Sequence, residues 1–179
     1  RLALPWIYGD TLNWMRGLGY MLYKYIRPTR LRLVALVRPP VATGRSMLAH
    51  FRGPGPVAYS DLALAEELAT RWVRQYAMIR AQVDAIADPA VCQTIRLEDV
   101  SLGQVRSLYG FLGLEGFDAA AVGALLDNRI KEVRHSHLDE SPVPASQEEL
   151  RAFWRICAPL AEAYGYTEDE HFYENAPSR

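Results

Sequence analysis

The sequence predicts a helix-rich α/β fold, three-layered, with a parallel sheet between flanking helices. A short β-rich run of leucine and valine, 31–37, lies between Pro28 and Pro39-Pro40, and 91–97 is a second strand candidate. The stretch between them is mostly of helical periodicity, and strands joined through helical crossovers pair in parallel under covering helices. Half of the 179 residues are hydrophobic (50%) and 23% are charged, which suits one substantial core and hence one domain, 1–179. Two strands are few for such a sheet, so an incomplete domain is expected, lacking its first βαβ unit. The chain opens on Arg1 within an apolar pattern, and its natural start is expected upstream.

The elements follow in order. Residues 9–26 carry Leu12, Met15, Leu18, Met21, Leu22 and Tyr25 at helical spacing, and Arg27-Pro28 ends the run. The strand 31–37 comes next, closed by Pro39-Pro40, and a helix is predicted over 41–51. Gly53-Pro54-Gly55-Pro56 can only be a loop. Ser60 or Asp61 can cap the following helix, with Glu66 and Glu67 in its early turns. Its apolar face runs through Leu64, Leu68, Trp72, Tyr76, Ile79 and Val83, and Asp88-Pro89 stops it. That stripe is core, not a stacking platform. After the strand 91–97, helices are predicted over 101–112, ending at Gly113, and over 119–126. Residues 128–145 are polar, contain two prolines and lack periodicity. Ser146, followed by Glu148 and Glu149, opens a last helix that reaches Tyr164.

Composition narrows the function classes. A net charge of −1 gives no bulk reason to expect nucleic acid or an anionic membrane as partner. Lys24 and Lys131 are the only lysines, so the basic charge is carried by arginine. Cys92 and Cys157 are far apart in apolar settings, which favours two buried thiols over a disulfide or a metal site. No apolar stretch approaches the ~20 residues that span a bilayer. A cytoplasmic protein is the expectation, without metal.

The junction after Val37 is the most informative place. Open parallel sheets bind ligands at the carboxyl ends of their strands, where helix amino termini offer N–H groups to anions. Arg38 closes the strand, and Ser46 stands eight residues later in the next helix. A phosphate held there would take a guanidinium fork from Arg38 and a hydroxyl from Ser46.

The segment 33–46, Leu-Val-Ala-Leu-Val-Arg-Pro-Pro-Val-Ala-Thr-Gly-Arg-Ser, resembles the 3′-phosphate-binding segment of sulfotransferases that use 3′-phosphoadenosine 5′-phosphosulfate (PAPS). Arg38, Pro40 and Ser46 fit that family's frame. Ile95-Arg96-Leu97-Glu98-Asp99-Val100 is similar to its strand ending in Tyr-Glu-Asp-Leu, with Leu97 in place of tyrosine. Residues 105–115, containing Phe111-Leu112-Gly113, resemble the helix end that follows, and residues 1–6 are similar to the tail of a bacterial-type Lys-Asp-Pro-Arg segment. The resemblance implies a P-loop-like fold, PAPS as co-substrate with no metal, and a small-molecule or carbohydrate acceptor. It implies too that the 5′-phosphosulfate loop and the catalytic base lie outside this chain, so no catalytic residue is assigned. Relatives close the nucleotide pocket with a basic loop late in the chain, which makes Arg129 and Arg134 candidates for the 3′-phosphate.

Rival readings attach to the same residues. Gly44-Arg45-Ser46 stands where a nucleotide-binding P-loop has Gly-Lys-Ser, although Pro39 replaces its first glycine. A sulfotransferase-like binding module without chemistry is the other alternative. His135 and His137 lack a third ligand at metal spacing and are expected at the surface. His50 and Phe51 are expected to pack, and Glu98 and Asp99 to cap a turn or pair with an arginine. An uncovered apolar sheet edge is expected near Leu2, Leu4 and Leu33, with self-association as its consequence.

Overall fold

The computed structural model describes residues 21–26, 31–52, 61–127 and 145–168. Both predicted strands form, β1 (Leu33–Val37) and β2 (Cys92–Arg96), and they lie side by side in a two-stranded parallel sheet. The N–H of Leu33 donates to the Val91 carbonyl at 2.7 Å as the two strands meet. Among the described residues the architecture is helix-rich α/β with this one small sheet.

The helices begin and end where local chemistry dictates. Helix α1 (Pro40–Arg52) starts with proline, whose missing N–H is no loss in a first turn. The Pro39 carbonyl accepts from both the N–H of Thr43 (3.0 Å) and its hydroxyl (2.8 Å). Helix α2 (Leu62–Ile86) is capped by Asp61, whose Oδ1 accepts from the N–H of Leu64 at 2.9 Å. Helix α3 (Leu102–Leu112) has Ser101 as its cap and ends on Gly113 at φ +67°. There the N–H groups of Gly113 and Leu114 return to the Gly110 and Tyr109 carbonyls, the Schellman arrangement. Asp118 caps helix α4 (Ala119–Asp127) by accepting from the N–H of Ala120 and of Ala121, both at 3.0 Å. Helix α5 (Gln147–Ala163) opens on a capping box of Ser146 and Glu149 and passes through Pro159.

Two expectations need correction. The end of the predicted 9–26 helix, Leu22–Ile26, is wound as a π-helix. His50 and Phe51 are exposed, because the buried face of α1 (Pro40, Val41, Gly44, Leu48) stops at Leu48. Their rings meet edge to face at 5.1 Å, and the Arg71 guanidinium covers Phe51 at 5.6 Å. Of the expected apolar edge, Leu2 and Leu4 lie outside the described residues and Leu33 is half-buried; the exposed apolar side chains of β1 are Val34 and Leu36.

The chain divides into two compact units. One comprises Arg1–Leu36, Ile79–Ile95 and Asp99–Ile130, and holds most of both strands with α3 and α4. The other comprises Val37–Met78, Arg96–Glu98 and Lys131–Arg179, and its core is Leu48, Leu68, Trp72, Tyr76, Leu150, Phe153 and Cys157. The expected stripe of α2 is thus buried at Leu68, Trp72 and Tyr76. In this second unit α1 packs on α5 so closely that a Cβ on Gly44 would stand 3.0 Å from the Phe153 ring. Both cysteines are free and buried, as their settings predict.

Candidate functional site

Val37 and Arg96, the carboxyl-terminal residues of β1 and β2, belong to the second unit, together with the segment that follows each strand. Parallel sheets offer ligands this end. Arg38 stands there exposed, and it makes no hydrogen bond or ion pair with another described residue. An exposed guanidinium at this place presents a planar fork of donors that suits an anion. Ser46 is exposed on the outward side of α1, in line with Ala42 and His50, and it too is unpaired among the described residues. No contact joins Arg38 to Ser46. Thr43, between them, has its hydroxyl occupied by the Pro39 carbonyl. Arg129, Arg134, His135 and His137 lie outside the described residues.

Beside Arg38 is a polar cluster built on Tyr166. Helix α5 ends in a second Schellman arrangement: Gly165 takes φ +82°, its N–H bonds the Glu162 carbonyl at 2.9 Å, and the Tyr166 N–H bonds the Ala161 carbonyl at 3.0 Å. This reversal brings the buried Tyr166 ring to the strand ends. Its hydroxyl stands 3.1 Å from Glu98 Oε2 and 3.3 Å from the Val37 carbonyl, so one proton is shared between two acceptors. Burial, then the Glu98 charge and hydrogen bond, push the phenol far above its ordinary value, with Arg96 opposing them. It is a donor at every physiological pH.

Arg96 completes the cluster. Its Nη1 donates to the Gly165 carbonyl at 2.9 Å, its Nε lies 3.6 Å from Glu98 Oε1, and its guanidinium carbon stands 5.5 Å from the centre of the Tyr166 ring. The expected pairing of Glu98 with an arginine is therefore made, by the arginine two residues before it. Sequence reasoning missed Tyr166, although Gly165 after a helical run was a signal. A left-handed residue there turns the next side chain back toward the helix and what it packs on.

Elsewhere the described residues hold little chemistry. An open hollow in the first unit is lined by Val83, Asp84, Ala87, Asp88, Pro89 and Cys92; its charged lining residues are two carboxylates, one of them paired with Arg80 at 3.7 Å, which does not suit an anion. Burial pushes the Cys157 thiol up to about 12, which removes it as a nucleophile at neutral pH. Among the described residues no group of three or more His, Cys, Asp or Glu side chains could hold a metal ion, and no helix is long and apolar enough to cross a membrane. Comparison with protein families, with curated proteins and with solved structures finds no match to this chain.

Proposed function

We propose that this chain supplies the 3′-phosphate-binding half of a PAPS-dependent sulfotransferase. One observation carries the reading: Arg38 is an exposed arginine, unpaired among the described residues, at the carboxyl end of a strand in a parallel sheet. The motif resemblance supplies the rest, including the three-layer P-loop-like fold. In this reading Arg38 grips the 3′-phosphate, Ser46 adds a hydroxyl, and Arg129 and Arg134 close over it. The sulfuryl group passes in line from the phosphosulfate to an acceptor hydroxyl or amine of a small molecule or carbohydrate. The S–O bond to the phosphate breaks as the new S–O or S–N bond forms, and the acceptor proton leaves to a base. Adenosine 3′,5′-bisphosphate is released. The protein's share of the work is positioning and charge stabilisation. A cytoplasmic setting, where PAPS would be met, belongs to the same proposal.

The degenerate P-loop is the weaker reading. A P-loop cradles phosphate with a run of backbone N–H groups before its helix, whereas here Pro39 and Pro40 have none and the helix already starts at Pro40. Gly44 serves instead to admit the Phe153 ring.

The test is calorimetric titration of the protein expressed from its complete reading frame, with adenosine 3′,5′-bisphosphate and adenosine 5′-phosphate. Arg38→Ala is expected to weaken the bisphosphate by about 1.5–3 kcal/mol, the worth of a charge-assisted contact, and to leave the monophosphate nearly unchanged. Ser46→Ala is expected to show the same selectivity with a loss of about 0.5–1.5 kcal/mol. Equal losses for both nucleotides in Arg38→Ala would refute the 3′-phosphate assignment.

A further inference from the structure

Arg38 makes no hydrogen bond or ion pair with another described residue, and its backbone sets where its side chain begins. The peptide that joins it to Val37 is held from one side. The Tyr166 hydroxyl reaches the Val37 carbonyl at 3.3 Å, Glu98 receives the same hydroxyl at 3.1 Å, and Arg96 ties Glu98, the Gly165 carbonyl and the phenol ring together. Val37 is fully buried and Tyr166 is 5% exposed, so the phenol–carbonyl contact is shielded from solvent, whereas Arg96 and Glu98 behind it are each about a third exposed. If this buried carbonyl rotated away from the phenol it would lose that donor, while the phenol would keep Glu98. Rotation about that peptide is the motion that would swing the Arg38 Cα–Cβ bond.

We propose that Tyr166 is a positioning residue: through the Val37 carbonyl, and backed by Glu98 and Arg96, it holds the peptide from which Arg38 reaches its anion. The proposal rests on the 3′-phosphate reading of Arg38 for its consequence, though not for the latch itself. Arg96 is committed within the cluster, which leaves Arg38 as the strand-end guanidinium open to a ligand. Tyr166 acts on discrimination between ligands, without touching them.

Tyr166→Phe tests this, since it keeps the buried ring and removes only the hydroxyl. Two measurements are made on the protein from its complete reading frame. The first is the affinity for adenosine 3′,5′-bisphosphate against adenosine 5′-phosphate. The second is the chemical shift and hydrogen exchange of the Arg38 backbone N–H, which shares its peptide with the Val37 carbonyl. Tyr166→Phe is expected to lower the bisphosphate preference about five- to tenfold, the scale of one lost hydrogen bond, and to speed exchange at Arg38. Glu98→Gln, which still offers an oxygen to the phenol, is expected to keep most of the preference. If wild type prefers the bisphosphate and Tyr166→Phe keeps that preference in full, the positioning role is wrong while the 3′-phosphate reading stands. If wild type shows no preference, the 3′-phosphate reading is wrong. An Arg38 amide unmoved by Tyr166→Phe sinks the latch in either case.

Discussion

The pair α1–α5 and the pair α3–α4 are both helices packed on helices, yet they are stabilised by different means. Helix α5 buries Leu150, Phe153, Trp154, Cys157 and Ala161, and α1 buries Val41, Gly44 and Leu48. Neither α3 nor α4 buries a single residue fully. What α3 and α4 have instead is end chemistry: the Ser101 and Asp118 caps, the Gly113 reversal, and a Tyr109–Phe117 edge contact at 5.1 Å under the Arg106 guanidinium. Helices whose apolar face is half wet draw little from burial, so caps and reversals make up much of what holds them. The contrast bears on the proposed site, because Arg38, Ser46 and Tyr166 all belong to the densely packed unit. A site that must hold a charged ligand in one geometry is best built on elements that do not open locally.

The sharpest way to break this comparison is at the α1–α5 contact. Phe153 is 0% exposed and its ring lies where a Gly44 side chain would go. Phe153→Ala is expected to cost about 3–5 kcal/mol of unfolding free energy, from lost burial and the cavity left behind. Gly44→Ala forces a methyl to within 3.0 Å of the ring and is expected to cost about 1–3 kcal/mol. The two changes share one space, so the double variant is expected to lose less than their sum, by chemical denaturation. Strict additivity would mean that Gly44 is not there for Phe153.

Glu149 is the next test. Its carboxylate is 1% exposed, and it accepts from the N–H of Asp61 at 2.6 Å, the N–H of Ser146 at 2.7 Å and the Ser146 hydroxyl at 2.9 Å. One side chain therefore ties the start of α5 to the start of α2. Glutamine offers a single oxygen, so at least one of these donors would face an NH₂ group. Glu149→Gln is expected to cost about 1.5–3 kcal/mol, the worth of a charge-assisted bond in a buried setting. A loss no larger than that of an exposed glutamate, such as Glu162→Gln, would reduce Glu149 to an ordinary cap.

What was legible in the sequence divides along the same line. The strands and the starts of α2, α3 and α5 could be read because their signals are local: an apolar run between prolines for β1, a short run after Asp88-Pro89 for β2, and Asp61, Ser101 and Ser146 ahead of periodic segments. Arg38 could be placed at a strand end for the same reason. The reach of Glu149 to Asp61 could not be read, because a capping box accounts for that glutamate completely within four residues of sequence. Tyr166 was invisible as a site residue for a like reason. Its partners, Val37 and Glu98, are distant in the chain, and only the Gly165 reversal brings them together. Phe51 was misjudged because an aromatic ring at a helix end looks like core, and whether a partner covers that last turn is not encoded nearby.

The smallest effect is expected at α3, and it is the one that separates local from global stability. Ser101 accepts from the N–H of Gln104 at 3.2 Å, and no residue of α3 is fully buried. Ser101→Ala is expected to cost about 1 kcal/mol, a typical value for a lost cap. If α3 opens on its own, that loss shows as faster hydrogen exchange at amides of the helix, by about fivefold, while amides of α5 exchange as before. Gly113→Ala should act alike from the other end, because φ +67° is strained for any residue with a Cβ. The capping box of α5 is the control. Ser146 is 4% exposed at the head of a buried helix, so Ser146→Ala should lower the melting temperature of the whole second unit and leave no helix-limited exchange signature. Were Ser101→Ala to slow or speed exchange equally in α3 and α5, the two pairs would be one cooperative block. Burial would then be a poor guide to which helices open first.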